Sequence, residues 1–340
     1  MTGTQASGRG AQDRGRNTTT KQAKGLRAFL YDAKARDKEV ELSEGIAGRL
    51  TKDQLLWVDV DLASPAAVEQ LRTLVEIDEG EFEEEDRLPV RERGGSFSFT
   101  IPTLPSQEDD AELTPLTCIA AARWLVTAHQ EEIEFLDAFY EHVHSDSSLG
   151  ELDAPNFLAS LLEWELNEFF LAMEREQRAT DSIEEHILGD ELARRSLDEL
   201  VARRRRVSYL RSGLSPHRYV YGTLAHASSD VVAGSDAAGD FALLGERVEQ
   251  AVQAAQSARE LIVGAFDLYM TRTAQRTNDV MKVLTVISAL LLPASLIAGI
   301  FGMNMLPDLF MNQWFFSVAI VVMVAVSGGL LTVLRRRGYL

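Results

Sequence analysis

The sequence predicts an α+β protein: a cytosolic α/β sandwich, a long stalk helix, and two C-terminal transmembrane helices. Three observations predict it. Charge is unevenly divided along the 340 residues, because from Met281 to Leu340 only Asp308 opposes Lys282, Arg335, Arg336 and Arg337, so the acid excess behind a net charge of −18 lies upstream. Two long apolar runs stand at the C-terminal end, and the stretches of strand character are confined to the first 128 residues.

Residues 1–25, rich in Gly, Thr, Gln and Arg without an apolar core, read as a disordered tail and not as a signal peptide. Residues 26–150 form the expected α/β domain, with candidate strands at Arg27–Tyr31, Leu56–Val60, Ser96–Ile101 and Thr117–Ala128, where aromatic and aliphatic residues run together or alternate. Residues 151–238 are expected to be helical, with long helices over Asn156–Leu188 and Asp190–Arg211 and a Ser, Gly and Ala-rich linker over 228–239. The single cysteine, Cys118, excludes an internal disulfide and any multi-cysteine zinc site, and fits a reducing compartment. So acidic a body is a poor nucleic-acid binder and a good attractor of cations.

From residue 239 the apolar residues recur at helical spacing, and no proline interrupts Phe241–Phe301 before Pro293. Residues 239–280 read as a stalk and 281–302 as the first membrane span, with about 21 apolar residues in "MKVLTVISALLLPASLIAGIF". Residues 303–313 form a short connector, 314–334 a second span without a charge, and 335–340 a basic tail. The arginines flanking the hairpin place both termini in the cytoplasm of a multi-pass protein in the cell membrane and the connector outside. Trp314 and Tyr339 mark the interfaces.

One face of the first span mixes apolar with small and hydroxyl residues: Met281, Leu284, Ser288, Leu292, Ser295 and Gly299, extended backwards through Asn278 and Met270 to Asp267. Small residues also serve close helix packing, which is the simpler use of Ser288 and Gly299. Asn304 and Asp267 at the two ends favour a lined path. One hairpin cannot enclose water, so a pore requires several copies of this helix around an axis, and hence a homo-oligomer in the lipid bilayer.

Gly302-Met303-Asn304 directly after such a span, with a second span and the basic "RRRGYL" behind it, resembles the signature of the CorA family of divalent metal-ion transporters. Upstream, "FDLYMTRTAQRTNDVMKVLTV" resembles that family's stalk and "LRSGLSPHRYVYGTL" its pattern between the preceding helices. The resemblance implies a funnel-shaped homopentamer that transports Mg²⁺, with Gly302, Met303 and Asn304 as selectivity filter. It implies Asn278, Met281, Leu284, Ser288, Leu292, Ser295 and Gly299 as pore lining, and Asp308 at the external mouth. It further implies a regulatory Mg²⁺ held by Asp267 with an acid of the neighbouring subunit, for which Glu84 in "DEGEFEEED" is the candidate.

Two alternatives stand beside this one. Some relatives with the same triplet move Zn²⁺ or another divalent ion, with or without protons, and His142 and His144 would suit a softer metal. A membrane-tethered regulator that transports nothing explains the hairpin and the acidic domain but not the triplet. An enzyme is not expected: there is no phosphate-binding glycine loop, no H-E-x-x-H and no nucleophile constellation.

Overall fold

The structure is a computed structural model that describes residues 23–34, 37–42, 45–74, 90–106, 113–145, 153–189, 194–226, 232, 235, 237–302 and 313–336. Seven strands form one sheet: β1 (Leu26–Asp32), β2 (Lys38–Glu39), β3 (Gln54–Asp61), β4 (Arg91–Arg93), β5 (Ser96–Thr103), β6 (Thr114–Ala121) and β7 (Trp124–His129). Their order is β2-β1-β3-β7-β6-β5-β4. Neighbours pair antiparallel except β3 and β7, which run parallel.

Period-two alternation explains why both faces are covered. In β3, Leu56, Val58 and Val60 join Leu26, Ala28, Val126 and Ala128 against Ala67 and Leu71 of helix α1 (Pro65–Leu74). Leu55 and Trp57 point the other way with Phe29, Tyr31, Phe97 and Leu125. On that face lie α2 (Glu134–Ser145), α3 (Ala154–Leu188), α4 (Arg194–Ala225) and the first turns of α5 (Ala237–Gly302), which contribute Phe139, Leu162, Phe169, Leu214, Tyr221, Phe241 and Val248. The result is a sandwich of helices on both sides of a mixed sheet. Trp57 stands among Phe29, Phe139 and Phe157, with ring centroids 5.6–5.9 Å away. Each such ring removes a large apolar area from water.

Two expectations need correction. Thr117–Ala128 is not one strand: β6 and β7 are antiparallel, with Ala120 opposite Leu125, and the chain reverses at Ala122-Arg123 without a glycine, proline or asparagine. The helix expected to end at Arg211 runs to Ala225 with Pro216 inside it. Burial on both sides of the proline, by Leu214 and His217 and then Val220 and Tyr221, holds the helix together despite the lost backbone hydrogen bond.

The chain separates into two compact units, Met1–Ala179 with Ala202–Leu261, and Thr180–Val201 with Ile262–Leu340. The second buries Ile183, Ile187, Leu200, Ile262 and Ala265, and Arg272 there donates to the Leu188 carbonyl at 3.3 Å. It also contains α6 (Gln313–Arg336), whose first charged residue is Arg335.

Candidate cation path and a polar cluster on the sheet

Helix α5 is 66 residues long and runs without interruption through Pro293. Among the described residues, it alone is long and apolar enough to cross a membrane by length and composition, and almost none of its apolar stretch is buried within the chain. The few sheltered positions share one face. Val286 is 8% exposed, and Lys282, Ala289, Leu290, Pro293, Ala294 and Ile297 are half-buried beside it. At 100° per residue these cluster within about 80° of Val286.

Met281, Leu284, Ser288, Leu292, Ser295 and Gly299 lie about half a turn away from that face and are all exposed, Leu292 at 69%. Asn278 and Asp267 are exposed too, at the near edge of the same stripe. An exposed apolar surface of this length is not stable in water and calls for lipid or another protein surface. Along α5, Tyr269, Thr273, Arg276, Thr277, Val280 and Met281 border an open recess of about 400 Å³.

Gly302 ends α5, whereas Met303, Asn304, Asp308 and Glu84 lie outside the described residues. Among the described residues no three His, Cys, Asp or Glu side chains converge as a metal site, at Asp267 or elsewhere. The ring of His142 packs on Trp164, with centroids 4.8 Å apart. His144 is the penultimate residue of α2.

A second polar constellation, absent from the sequence-based expectations, crosses three adjacent strands. Register places Arg27 beside Asp59 and Asp59 beside Thr127, on the face covered by α2. Asp59 is 4% exposed; it accepts from Arg27 Nη2 at 2.9 Å and from Thr127 Oγ1 at 2.7 Å. Its Oδ1 also lies 3.3 Å from His129 Nε2, an ion-pair distance without the alignment of a hydrogen bond. Arg27 Nη1 continues to Asp137 of α2 at 2.5 Å.

Burial pushes the Asp59 carboxyl up, but His129, Thr127 and Arg27 outweigh it and hold it below the ordinary range. Burial lowers His129, but Asp59, the Glu131 carbonyl and Asp61 raise it further than burial depresses it. Gly25 at φ +93° closes the site from below, where a Cβ would come within 3.1 Å of Ser64 and 3.2 Å of Asp61. The sequence signal for this cluster was an acid inside the strand "LLWVDVD" and a histidine at the end of "WLVTAH".

A third polar pair, also missed, is sealed inside the helical layer. His217 of α4 and Glu165 of α3 are 0% and 1% exposed, with Nε2 and Oε1 3.0 Å apart.

The family model for the CorA-like Mg²⁺ transporter protein matches residues 52–336. The cobalt/magnesium transport protein CorA of Thermotoga maritima is 26% identical over 176 residues, 51% of this chain and 49% of that protein, so the chain spans about half the length of this curated relative. The complete CorA magnesium transporter of Methanocaldococcus jannaschii has the same fold, with a TM-score of 0.77 at 18% identity over 92% of this chain and 98% of that one. The ZntB cytoplasmic domain of Vibrio parahaemolyticus shares it more loosely, with a TM-score of 0.59 at 8% identity over 74% and 99%. With a family match that takes in most of its length, from β3 to the end of α6, this chain belongs to the CorA-like Mg²⁺ transporter family.

Proposed function

We propose that the chain transports divalent metal ions, Mg²⁺ foremost, across a cell membrane as a homo-oligomer with the pentameric arrangement its resemblance implies. The observation that carries the proposal is α5: one helix that begins in the core of the α/β unit and ends at Gly302, with small, hydroxyl and apolar residues alternating along its exposed stripe. Family membership supports the cation class, and the cobalt/magnesium relative supports the choice of ion.

In this reading copies of α5 surround the axis and α6 is the second span, with both termini in the cytoplasm. Mg²⁺ sheds water reluctantly and prefers octahedral oxygen ligands. A ring of Asn304 amide oxygens holds the hydrated ion through its water shell without trapping it, and Gly302 and Met303 shape that ring. Ser295 and Ser288 keep the path wet, and Gly299 leaves it wide. Leu292, Leu284 and Met281 form apolar constrictions that close by dewetting, above the amide of Asn278. Asp308 adds negative potential outside.

Asp267, with Glu84 of a neighbouring copy, binds regulatory Mg²⁺. Neutralising these facing carboxylates holds the assembly closed, and losing the ion lets them repel. No enzymatic step is involved.

The test is ion flux into proteoliposomes containing the full chain, followed separately for Mg²⁺, Co²⁺ and Zn²⁺, with and without an imposed pH gradient. Mg²⁺ entry that needs no proton gradient supports the proposal. Zn²⁺ entry that requires the gradient replaces it with the proton-coupled alternative, and well-folded protein that moves no ion replaces it with the tethered regulator.

A further inference from the structure

The His129 ring is oriented by a partner that can only accept. Its Nδ1 is 2.6 Å from the Glu131 backbone carbonyl, so Nδ1 carries a hydrogen, and the titrating position is Nε2, 3.3 Å from Asp59 Oδ1. With a proton there, Asp59 sits between two cations, His129 and Arg27. Without it, a nitrogen lone pair faces a buried carboxylate.

The groups facing this ring are few. Asp59 and Asp61 come from β3, and Arg27 from β1; Thr127 lies on β7 itself, and Glu131 and Glu132 follow in the connector to α2. Asp137 of α2 acts through Arg27. Arg27, Asp59, Asp61, Glu131 and Glu132 line, with His129 itself, a cavity of about 320 Å³ that opens onto a side chain only 10% exposed.

Besides the buried Ile133 side chain, three hydrogen bonds among the described residues hold this connector. Thr114 Oγ1 donates to Glu131 Oε2 at 3.0 Å, Ser106 Oγ to the Glu132 carbonyl at 2.6 Å, and the Leu62 N–H to the His129 carbonyl at 2.7 Å. We propose that His129 is a proton-operated clasp: charged, its ring is held towards Asp59 and keeps the Glu131 carbonyl on Nδ1, and neutral, repulsion between the Nε2 lone pair and the Asp59 carboxylate turns the ring, gives up the Glu131 bond and loosens the β7–α2 connector.

The direction follows from the ring's surroundings. A histidine held above its ordinary value of 6.5 stabilises the closed state fully below 6.5, and that stabilisation is lost as pH rises through the raised value. Between these limits the opening equilibrium rises up to about tenfold per pH unit and then levels. Cytosolic pH would in this way set the firmness of the layer beside the sheet.

Hydrogen exchange of the full chain in detergent reads this directly on the peptide spanning 129–145, after correction for the intrinsic pH dependence of exchange. The wild type should show the rise above pH 6.5, while His129→Gln should give a flat profile at the loosened level. Should the glutamine variant fail to fold, His129→Asn gives the same comparison. A flat wild-type profile overturns the proposal, and so does a variant that keeps the rise. Any effect on ion movement rests on the transport reading, but the exchange profile does not. Flux without the rise sinks the clasp alone, and the rise without flux sinks the transport reading alone.

Discussion

Replacing Glu165 with leucine tests how the helical layer is held together. His217 Nδ1 faces the Gly213 carbonyl at 2.9 Å and Nε2 faces Glu165 Oε1 at 3.0 Å, so both ring nitrogens look at acceptors. The carbonyl cannot donate, hence Nδ1 bears a hydrogen, and one hydrogen bond joins Nε2 to the carboxyl. The surroundings are apolar: Phe169 and Tyr221 stand edge-on to the imidazole with centroids at 5.5 and 5.7 Å.

Glu165→Leu strands Nε2 in this shell. The cost is about 1–3 kcal/mol if the ring is then neutral, and about 3–5 kcal/mol if it stays charged. Glu165→Gln preserves a donor for Nε2 and should cost no more than about 1.5 kcal/mol. In the double variant Glu165→Leu with His217→Leu, neither member of the pair is left without the other, so the two losses should fall short of additive by at least about 2 kcal/mol. Exchange of the slowest amides in α3 and α4, in the full chain, reports these opening free energies. A Glu165→Leu cost under about 1 kcal/mol, or strictly additive losses, would refute the coupling of the two residues as one hydrogen-bonded unit.

Further outcomes follow from the same physics. Because the folded Asp59 carboxyl is held below its ordinary 3.8, its stabilising effect is complete above that value and is lost as pH falls through the lower folded one. Acid unfolding followed by tryptophan fluorescence should therefore flatten over that window in Asp59→Asn. Cys118 is free and fully buried, and burial pushes its thiol up, so native protein should resist maleimide labelling and react only on unfolding. Gly213→Ala should change stability by no more than about 1 kcal/mol, because moving the end of the Leu113 side chain, which the new Cβ would overlap, is offset by the better helix propensity of alanine within α4; thermal melting in detergent measures the change.

The legible parts of the fold were those where one local period dominates. Leu55–Val60 alternates between two cores, and the long run that became α5 keeps helical spacing over its whole length. The β6–β7 reversal was hidden because Ala122-Arg123 has no turn chemistry, and α4 outran its expected end because burial around His217 and Tyr221 outweighs Pro216. Helix α1 and the short β2 and β4 carry too few residues for a clear pattern. The stripe from Asp267 to Gly299 could be read because it lies on one helix. Arg27, Asp59 and Thr127 could not be joined in advance, since their contacts span 32 and 68 positions and depend on strand register. Glu165 and His217, 52 positions apart on separate helices, were hidden for the same reason.

The central claim is that the chain conducts hydrated divalent cations past a ring of Asn304 amides. The direct test is Mg²⁺ entry into proteoliposomes for wild type and Asn304→Ala, reconstituted at equal amounts and shown to assemble alike. Entry in the wild type that disappears in the variant is the predicted result. Equal entry through both would contradict an amide filter at that mouth.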